Sequence, residues 1–466
     1  MSLFLRGSLI LLITTCCAVV PSEALAQTPL APADRGLARE ILQQLVEMPT
    51  AEADGATSRA AQAMADRLMA AGLPREDVHV FGPDTRTGNL VARLRGRSRS
   101  ARPILMMAHL DVVPAPRVDW SVDPFVLTER DGWFYGRGTH DNKAGAAILV
   151  ANVIRFRREG WQPERDIILL LTGDEETSQR SIQWLLKEHR ALIDAELAFN
   201  TDGGGVIVKD GRPAIFDLQS SEKIYADYRL EVIDAGGHSS LVRPDNPIYI
   251  LASALTRIGE HQFPLHVTEG TRVSLERTAA LESGQTAIDM RAVAAVPPDL
   301  PAAARLSRSP LYNANLRTTC VATRVDAGHA NNALPQLAGA VINCRILPGL
   351  PGADVEAVIR QLAGPKVKVT VLEPPVTSPP SPTTPAVLSR IDRLVAKYWP
   401  GIPVVPTMST GATDGMYTRS AGIPTYGVSG LDEDPEDVRS HGKDERVGVE
   451  AFYKAAQFWY ELAKTF

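Results

Sequence analysis

Between Arg35 and Val46 apolar residues recur at Leu37, Ile41, Leu42 and Leu45, the three-four spacing that lays one apolar stripe along a helix. The same period predicts helices near residues 57–71, 144–158 and 448–464. Between the early ones stand four short apolar runs, "GNLVARL", "PILMMAH", "DIILLLTG" and "LAFNTDGG". They are too short for helices and rich in Leu, Ile and Val, so they read as strands of a mostly parallel sheet buried on both faces. Alternation of the two periods predicts an α/β layered fold, whose ligands gather outside the carboxyl ends of the strands.

A different rhythm begins after Ser221. "YADYRLEVIDAGG" alternates like a half-exposed strand and "NPIYILASALTRIG" follows with helical spacing. Two strands holding Cys320 and Cys344, a helix "GADVEAVIRQLAG" and an alternating strand "KVKVTVLE" complete the order β-α-β-β-α-β of a ferredoxin-like α+β sandwich. An insertion from His261 to Tyr312 interrupts it with no legible fold, and the Pro-rich "EPPVTSPPSPTTP" reads as a linker back to the first domain.

At 466 residues and 44% hydrophobic content the chain exceeds what one core organises, so two domains are expected. A net charge of -5 with no Lys/Arg run argues against a nucleic-acid footprint or a basic membrane patch, and favours a small soluble partner. Arg6, the apolar stretch Leu9 to Val20 and Ala24-Leu25-Ala26 spell a secretory signal peptide over residues 1–26. The alternative, an uncleaved anchor, is disfavoured because the stretch falls short of the ~20 residues a bilayer needs. Cleavage would leave Cys320 and Cys344 as an even pair in an oxidising compartment, either disulfide-bonded or two buried thiols.

The predicted strands or their following loops end in His109 and Asp111, in Asp141, in Glu175 and Glu176, and in Asp202. An acid left at the mouth of a buried strand is costly unless it is paired or bound to a cation. Imidazole with several carboxylates suits Zn²⁺ or a similar divalent ion. Singly, an H-x-D triplet or a "GDEE" turn carries little; the order and setting together carry more.

That order resembles the M20 family of metallopeptidases and amidohydrolases. The matching stretches are "AHLDVVP", "WSVDPF", "GWFYGRGTHDNKAG", "LLLTGDEE", "NTDGGG", "GGHSS", "NALPQLAGAVINCRILPG", "GATDGMY" and "SHGKDER", which span nearly all of the mature chain. The resemblance implies a dinuclear-metal peptidase domain over 27–220 and 376–466, with the ferredoxin-like segment 221–375 inserted as a lid. It implies two divalent ions, Zn²⁺ first with Mn²⁺ or Co²⁺ as substitutes. His109 and Asp202 would hold one, Glu176 and His441 the other, and Asp141 would bridge them. Some relatives carry Glu at the position of Asp202, and the peptide bond after Asp141 is cis in the family. Asp111 would orient His109 through its other ring nitrogen.

By the same resemblance Glu175 would act as general base, taking a proton from water activated by the two ions and returning it to the leaving amine. His238 would stabilise the oxyanion, in some relatives from a partner subunit, so a homodimer is one expectation. Asn332 and Arg345 would hold the substrate, commonly by its carboxylate. His140 and His329 sit beside motif residues, and nothing in their spacing makes them ligands. The reading is a secreted or periplasmic amide hydrolase, carboxypeptidase-like or acting on N-acyl amino acids. A dipeptidase and a non-catalytic metal-containing peptide binder are the alternatives.

Overall fold

The apolar runs form strands because both of their faces find a cover. In the computed structural model, which describes residues 29–53, 56–372 and 374–466, Ile104–His109 lies between Ile167–Thr172 and Leu197–Asn200, parallel to both. Ile104, Met106 and Ala108 join one apolar cluster while Leu105 and Met107 join the other. Helices Pro32–Val46, Lys143–Arg158 and Val449–Thr465 cover the first face, and Arg180–Glu188 covers the second through Ile182 and Leu185. A strand covered twice needs no polar face, which is why these runs show no alternation.

Outward from this parallel centre the sheet is mixed and reaches ten strands among the described residues. Asn89–Leu94 and then Val78–Phe81 extend it antiparallel on one side. On the other, Thr425–Gly427 runs parallel to Leu197–Asn200, followed by Arg212–Glu222, which pairs parallel with Val404–Ser409 and antiparallel with Gly205–Lys209. The three central strands present their carboxyl ends, His109, Thr172 and Asn200, at one edge.

A second sheet is antiparallel. Its strands, Ile224–Ile233, Thr319–Ala327, Leu337–Ile346 and Lys368–Val371, lie in the order second, third, first, fourth. Helices Pro247–Glu260 and Gly352–Ala363 pack on it around a separate apolar cluster. The chain changes sheets at Lys223, two residues after the change of rhythm at Ser221. The Lys223 ammonium donates to the Arg317 carbonyl at 2.9 Å and its main-chain N–H to the Ser409 carbonyl at 2.9 Å, so the crossover is pinned from both sides.

The structure adds to the sequence reading in two segments. The insertion folds as four short helices, Glu269–Thr278, Gly284–Ala294, Leu300–Leu306 and Pro310–Leu316, around Leu275, Met290, Val293, Leu306 and Leu316. No single helix carries a long stripe, so no period shows. Its first helix packs on Val404–Ser409, and Arg277 pairs with Asp392 at 3.0 Å. Residues 374–384 hold neither helix nor strand, yet they are not a free linker. Ser381 is buried, donating its hydroxyl to the Thr425 carbonyl at 2.7 Å and accepting the Thr425 N–H at 2.8 Å, so the segment is a strap on the sheet. The predicted signal peptide lies outside the described residues, and among those no helix is long and apolar enough to cross a membrane.

Cys320 and Cys344 stand directly opposite in the antiparallel ladder and are joined as a disulfide. Closing a loop with a sequence separation of 24 is worth about 3 kcal/mol in the chain-entropy account. Peptide mapping of unfolded, unreduced protein should find both cysteines in one cross-linked peptide; two alkylatable thiols there would contradict the bond. Replacing both with Ser should lower stability by about 3 kcal/mol.

Candidate metal centre

His109 ends its strand inside the protein, 1% exposed. Its Nδ1–H donates to the main-chain carbonyl of Asp111 at 3.0 Å, with the Asp111 carboxylate at 3.5 Å. That bond fixes the tautomer and turns Nε2 outward as a lone-pair donor. Nε2 lies 3.0 Å from Asp141 Oδ1 and 3.8 Å from Asp202 Oδ1. The orienting contact thus comes mainly from the Asp111 backbone. Its carboxylate does something else, accepting the N–H groups of Glu175 at 3.1 Å and Glu176 at 2.8 Å, and so sets the turn that presents both glutamates.

From the far end of the chain, His441 closes the cluster. Its Nε2 stands 3.1 Å from Asp141 Oδ2 and 2.9 Å from Glu176 Oε2. Asp141, one carboxylate oxygen toward each histidine, is therefore shared between two groups of donors. Donor atoms of His109, Asp141 and Glu176 lie within 4.8 Å of one another, as do those of His109, Glu175 and Asp202. The five residues expected as ligands meet at one place, and the Asp141–Asn142 peptide bond is cis. Glu175 faces the same space and accepts from Gln179 Nε2 at 2.8 Å.

The electrostatics carry one signature, an excess of negative charge. Burial first, then the Asp202 charge, pushes the Glu175 carboxyl well above the usual range. Asp202 is driven up by burial and by Asp141, Glu176 and Glu222, against the pull of His109. Hydrogen bonds to Asp141 and Glu176 raise His441 to about 10. For His109 burial works downward, and the Asp202 and Asp111 charges outweigh it. For Asp141 burial works upward, and bonds to both histidines override it and hold the carboxyl low. Carboxylates resisting ionisation beside imidazoles resisting neutrality are the donor set a divalent cation satisfies.

Three groups that spacing could not assign hold this geometry. Glu445, fully buried, accepts the N–H groups of Gly138 at 3.2 Å, His140 at 2.8 Å and Asp141 at 2.9 Å and pairs with Arg137 at 2.5 Å. Arg137 in turn donates to the Gly442 carbonyl at 3.0 Å. One buried ion pair thereby ties the Asp141 loop to the His441 loop. Asp414, buried behind His109, accepts from the Thr172 hydroxyl at 2.5 Å and is pushed up to about 7 by burial and by Asp111 and Asp174. Glu222, paired with Arg419 at 2.7 Å, accepts the Thr413 N–H at 2.9 Å and anchors the loop that follows Ser409. Glu445 and Asp414 sit inside "SHGKDER" and "GATDGMY", which mark the stretches but not these roles.

The lid residues divide. Arg345 lies over the Tyr225 ring at 4.8 Å and donates to the Thr410 carbonyl at 3.2 Å, so it reaches the loop that follows Ser409. His238 and Asn332 are exposed where two short strands remote in sequence, Gly237–His238 and Ala333–Leu334, pair antiparallel; there the Ser239 N–H donates to the Asn332 carbonyl at 3.1 Å and His238 Nδ1 bonds the Ser240 hydroxyl at 2.8 Å. Their hydrogen bonds do not reach the acidic cluster. His140 bonds the Ser440 hydroxyl at 3.1 Å, and His329 is exposed on the lid. A pocket of about 310 Å³ opens beside Glu175 and Glu176, walled by Tyr225, Val376, Met416 and Tyr417.

Comparison with known proteins accords with this geometry. The family described as Peptidase family M20/M25/M40 matches residues 105–465. Human N-fatty-acyl-amino acid synthase/hydrolase PM20D1 is 32% identical over 382 residues, covering 79% of this chain and 75% of that protein. Probable carboxypeptidase S-like 2 of Dictyostelium discoideum is 27% identical over 398 residues, covering 81% of this chain and 74% of its own. Among solved structures, the M20 family metallo-carboxypeptidase Sso-CP2 from Sulfolobus solfataricus aligns with a TM-score of 0.68 at 18% identity, over 92% of this chain and 98% of that one. Human carnosine dipeptidase 1 aligns with a TM-score of 0.61 at 16% identity, over 94% and 99%. The chain belongs to the peptidase family M20/M25/M40, a family of metallopeptidases.

Proposed function

We propose that this protein hydrolyses the amide bond of N-acyl amino acids, in an exported compartment, with two divalent cations held by His109, Asp141, Glu176, Asp202 and His441. The observation that carries it is the meeting of those five side chains with Glu175 at the mouth of a pocket. The likeness to PM20D1, named for N-fatty-acyl amino acids, supports that substrate class over a plain peptide. Names of carboxypeptidase S-like relatives support a second reading, carboxypeptidase action, which shares the amide bond and the free carboxylate. The Cys320–Cys344 bond and the leader sequence support export.

When bound, the cations would acidify water and polarise the scissile carbonyl. The protein's own groups divide the remaining work. Glu175, its carboxyl raised by burial and by Asp202, accepts the proton that the attacking water loses and delivers it to the departing amine. Arg345, poised over Tyr225 beside the loop that follows Ser409, takes the substrate carboxylate. His238, exposed on its two-residue strand, would meet the oxyanion only after the lid closes or a second subunit supplies it.

Three outcomes test the reading. Glu175→Gln should keep both metals by elemental analysis and lose roughly 10²- to 10⁴-fold in kcat; near-normal turnover would remove Glu175 from the proton path. Glu445→Gln replaces one acceptor oxygen with an amide that cannot accept the loop N–H groups, so stability should fall by roughly 3 kcal/mol and metal should bind more weakly. Unchanged metal affinity by competition with a chromophoric chelator would show that the clamp does not shape the centre. Metal-loaded protein given a mixture of N-acyl amino acids and dipeptides should release free amino acid from the former, by mass spectrometry. Cleavage of dipeptides alone would transfer the assignment to the dipeptidase alternative.

A further inference from the structure

Gln179 stands where the local fold would prefer another residue. It immediately precedes the helix Arg180–Glu188, with its backbone at φ 49° and ψ 23° in the left-handed region. Glycine enters that region freely and Asn or Asp with modest strain, whereas a longer side chain is disfavoured there. The position is also a helix N-cap, best served by Ser, Thr, Asp or Asn, whose short side chains reach the free N–H groups. Gln179 makes no such cap. Asp174 caps instead, its buried carboxylate accepting the N–H groups of Arg180 at 2.9 Å and Ser181 at 3.0 Å.

The main chain at this point gives no reason for a glutamine either. The Gln179 N–H donates to the Asp174 carbonyl at 2.8 Å, and the Gln179 carbonyl accepts from Gln183 Nε2 at 3.1 Å, bonds that any non-proline residue could make. What distinguishes the side chain is its reach. Gln179 Nε2 donates to Glu175 Oε1 at 2.8 Å, in the wall of the pocket that both residues line. Gly lacks the group altogether, and Asn is one methylene shorter.

Glu175 needs such a hold. Its N–H is fixed by the Asp111 carboxylate at 3.1 Å, but that leaves the torsions of its side chain free to turn the carboxylate. The Gln179 amide secures Oε1 and leaves Oε2 to take the proton. Being neutral, it orients the carboxylate without cancelling the charge that receives that proton. Residues held in sparsely populated backbone regions persist where the surrounding structure over-determines them, and they gather at functional sites.

We propose that Gln179 is a positioning residue for proton transfer, turning the second oxygen of Glu175 toward the attacking water, and that the left-handed backbone at 179 is tolerated for this contact. The proposal rests on the reading of Glu175 as general base given above.

The experiment measures kcat and KM for Zn²⁺-loaded wild type, Gln179→Gly, Gln179→Asn, Glu175→Gln and the double variant Glu175→Gln/Gln179→Gly. The substrates are N-dodecanoyl phenylalanine and alanyl-phenylalanine, and thermal denaturation is followed for each single variant. Gly and Asn suit the backbone at 179, so both variants should unfold at or above the wild-type midpoint. On whichever substrate wild type cleaves, both should lose roughly 10- to 100-fold in kcat while KM stays within about twofold. In the double variant, Gln179→Gly should subtract nothing beyond the loss caused by Glu175→Gln.

Wild-type kcat in Gln179→Gly, with Glu175→Gln impaired, overturns the proposal and leaves the general base in place. An equal loss from Gln179→Gly in the presence and absence of Glu175 overturns it as well, since Gln179 would then act by another route. A midpoint that falls together with kcat assigns Gln179 to the fold instead. Near-normal turnover of Glu175→Gln removes the general-base reading by itself, and failure of wild type to cleave either substrate removes the amide-hydrolase reading. In both of those cases crystal structures of Zn²⁺-loaded wild type and Gln179→Gly decide the contact. A Glu175 carboxylate that turns away in the variant would still show Gln179 holding it, and one that stays in place would reject the hold too.

Discussion

Crowded negative charge at the edge of a buried sheet is the constraint on which the rest of this structure depends. Asp141, Glu175, Glu176 and Asp202 stand around two imidazoles in a partly buried cluster, where like charges repel more strongly than in solvent. The raised acids and raised histidines are two faces of that repulsion. Protons can relieve it, but only by disabling the carboxylates. A pair of divalent cations relieves it while leaving every carboxylate ionised, and this is the physical sense of placing so many acids at the ends of apolar strands.

Holding such a cluster requires supports that do not yield, and the chain supplies them from remote segments. The Arg137–Glu445 pair joins the loop of Asp141 to that of His441 across more than three hundred residues of sequence. Four donors converge on the Glu445 carboxylate, so its burial is compensated at each oxygen. Asp111 performs the same service on the opposite side, where its backbone aims His109 and its carboxylate sets the Glu175–Glu176 turn. The proposed ligands and Glu175 are thus fixed relative to one another largely by contacts to the main chain, which moves less than side chains do.

The lid side is built from other elements. The metal-centre scaffold is built from the large sheet, whereas Arg345, the crossover at Lys223 and the insertion helices surround it from the lid side. The insertion grips the large sheet through Arg277 and Asp392 as well as packing on its edge, so it is fixed to the sheet rather than hanging free. The insertion is a peripheral helical cluster with its own apolar core.

By itself the sequence determined the two periodic patterns, and with them the parallel centre, the alternating second sheet and the acids waiting at strand ends. Those features are local: a stripe or a buried run is written in consecutive residues, and an acid closing such a run is legible without partners. The family resemblance of nine stretches added His441, which no spacing from His109 could have indicated. Only the tertiary structure decided that Glu445 rather than a nearer acid clamps Asp141, that the carboxylate of Asp111 serves the glutamate turn while its carbonyl serves His109, and that the Pro-rich segment is a strap. It alone folded the insertion, whose four helices are each too short to print a period and gain stability only from one another and from the sheet beneath. Contacts between residues hundreds of positions apart depend on how finished elements pack, and packing is a property of the assembled surfaces, not of any stretch of chain.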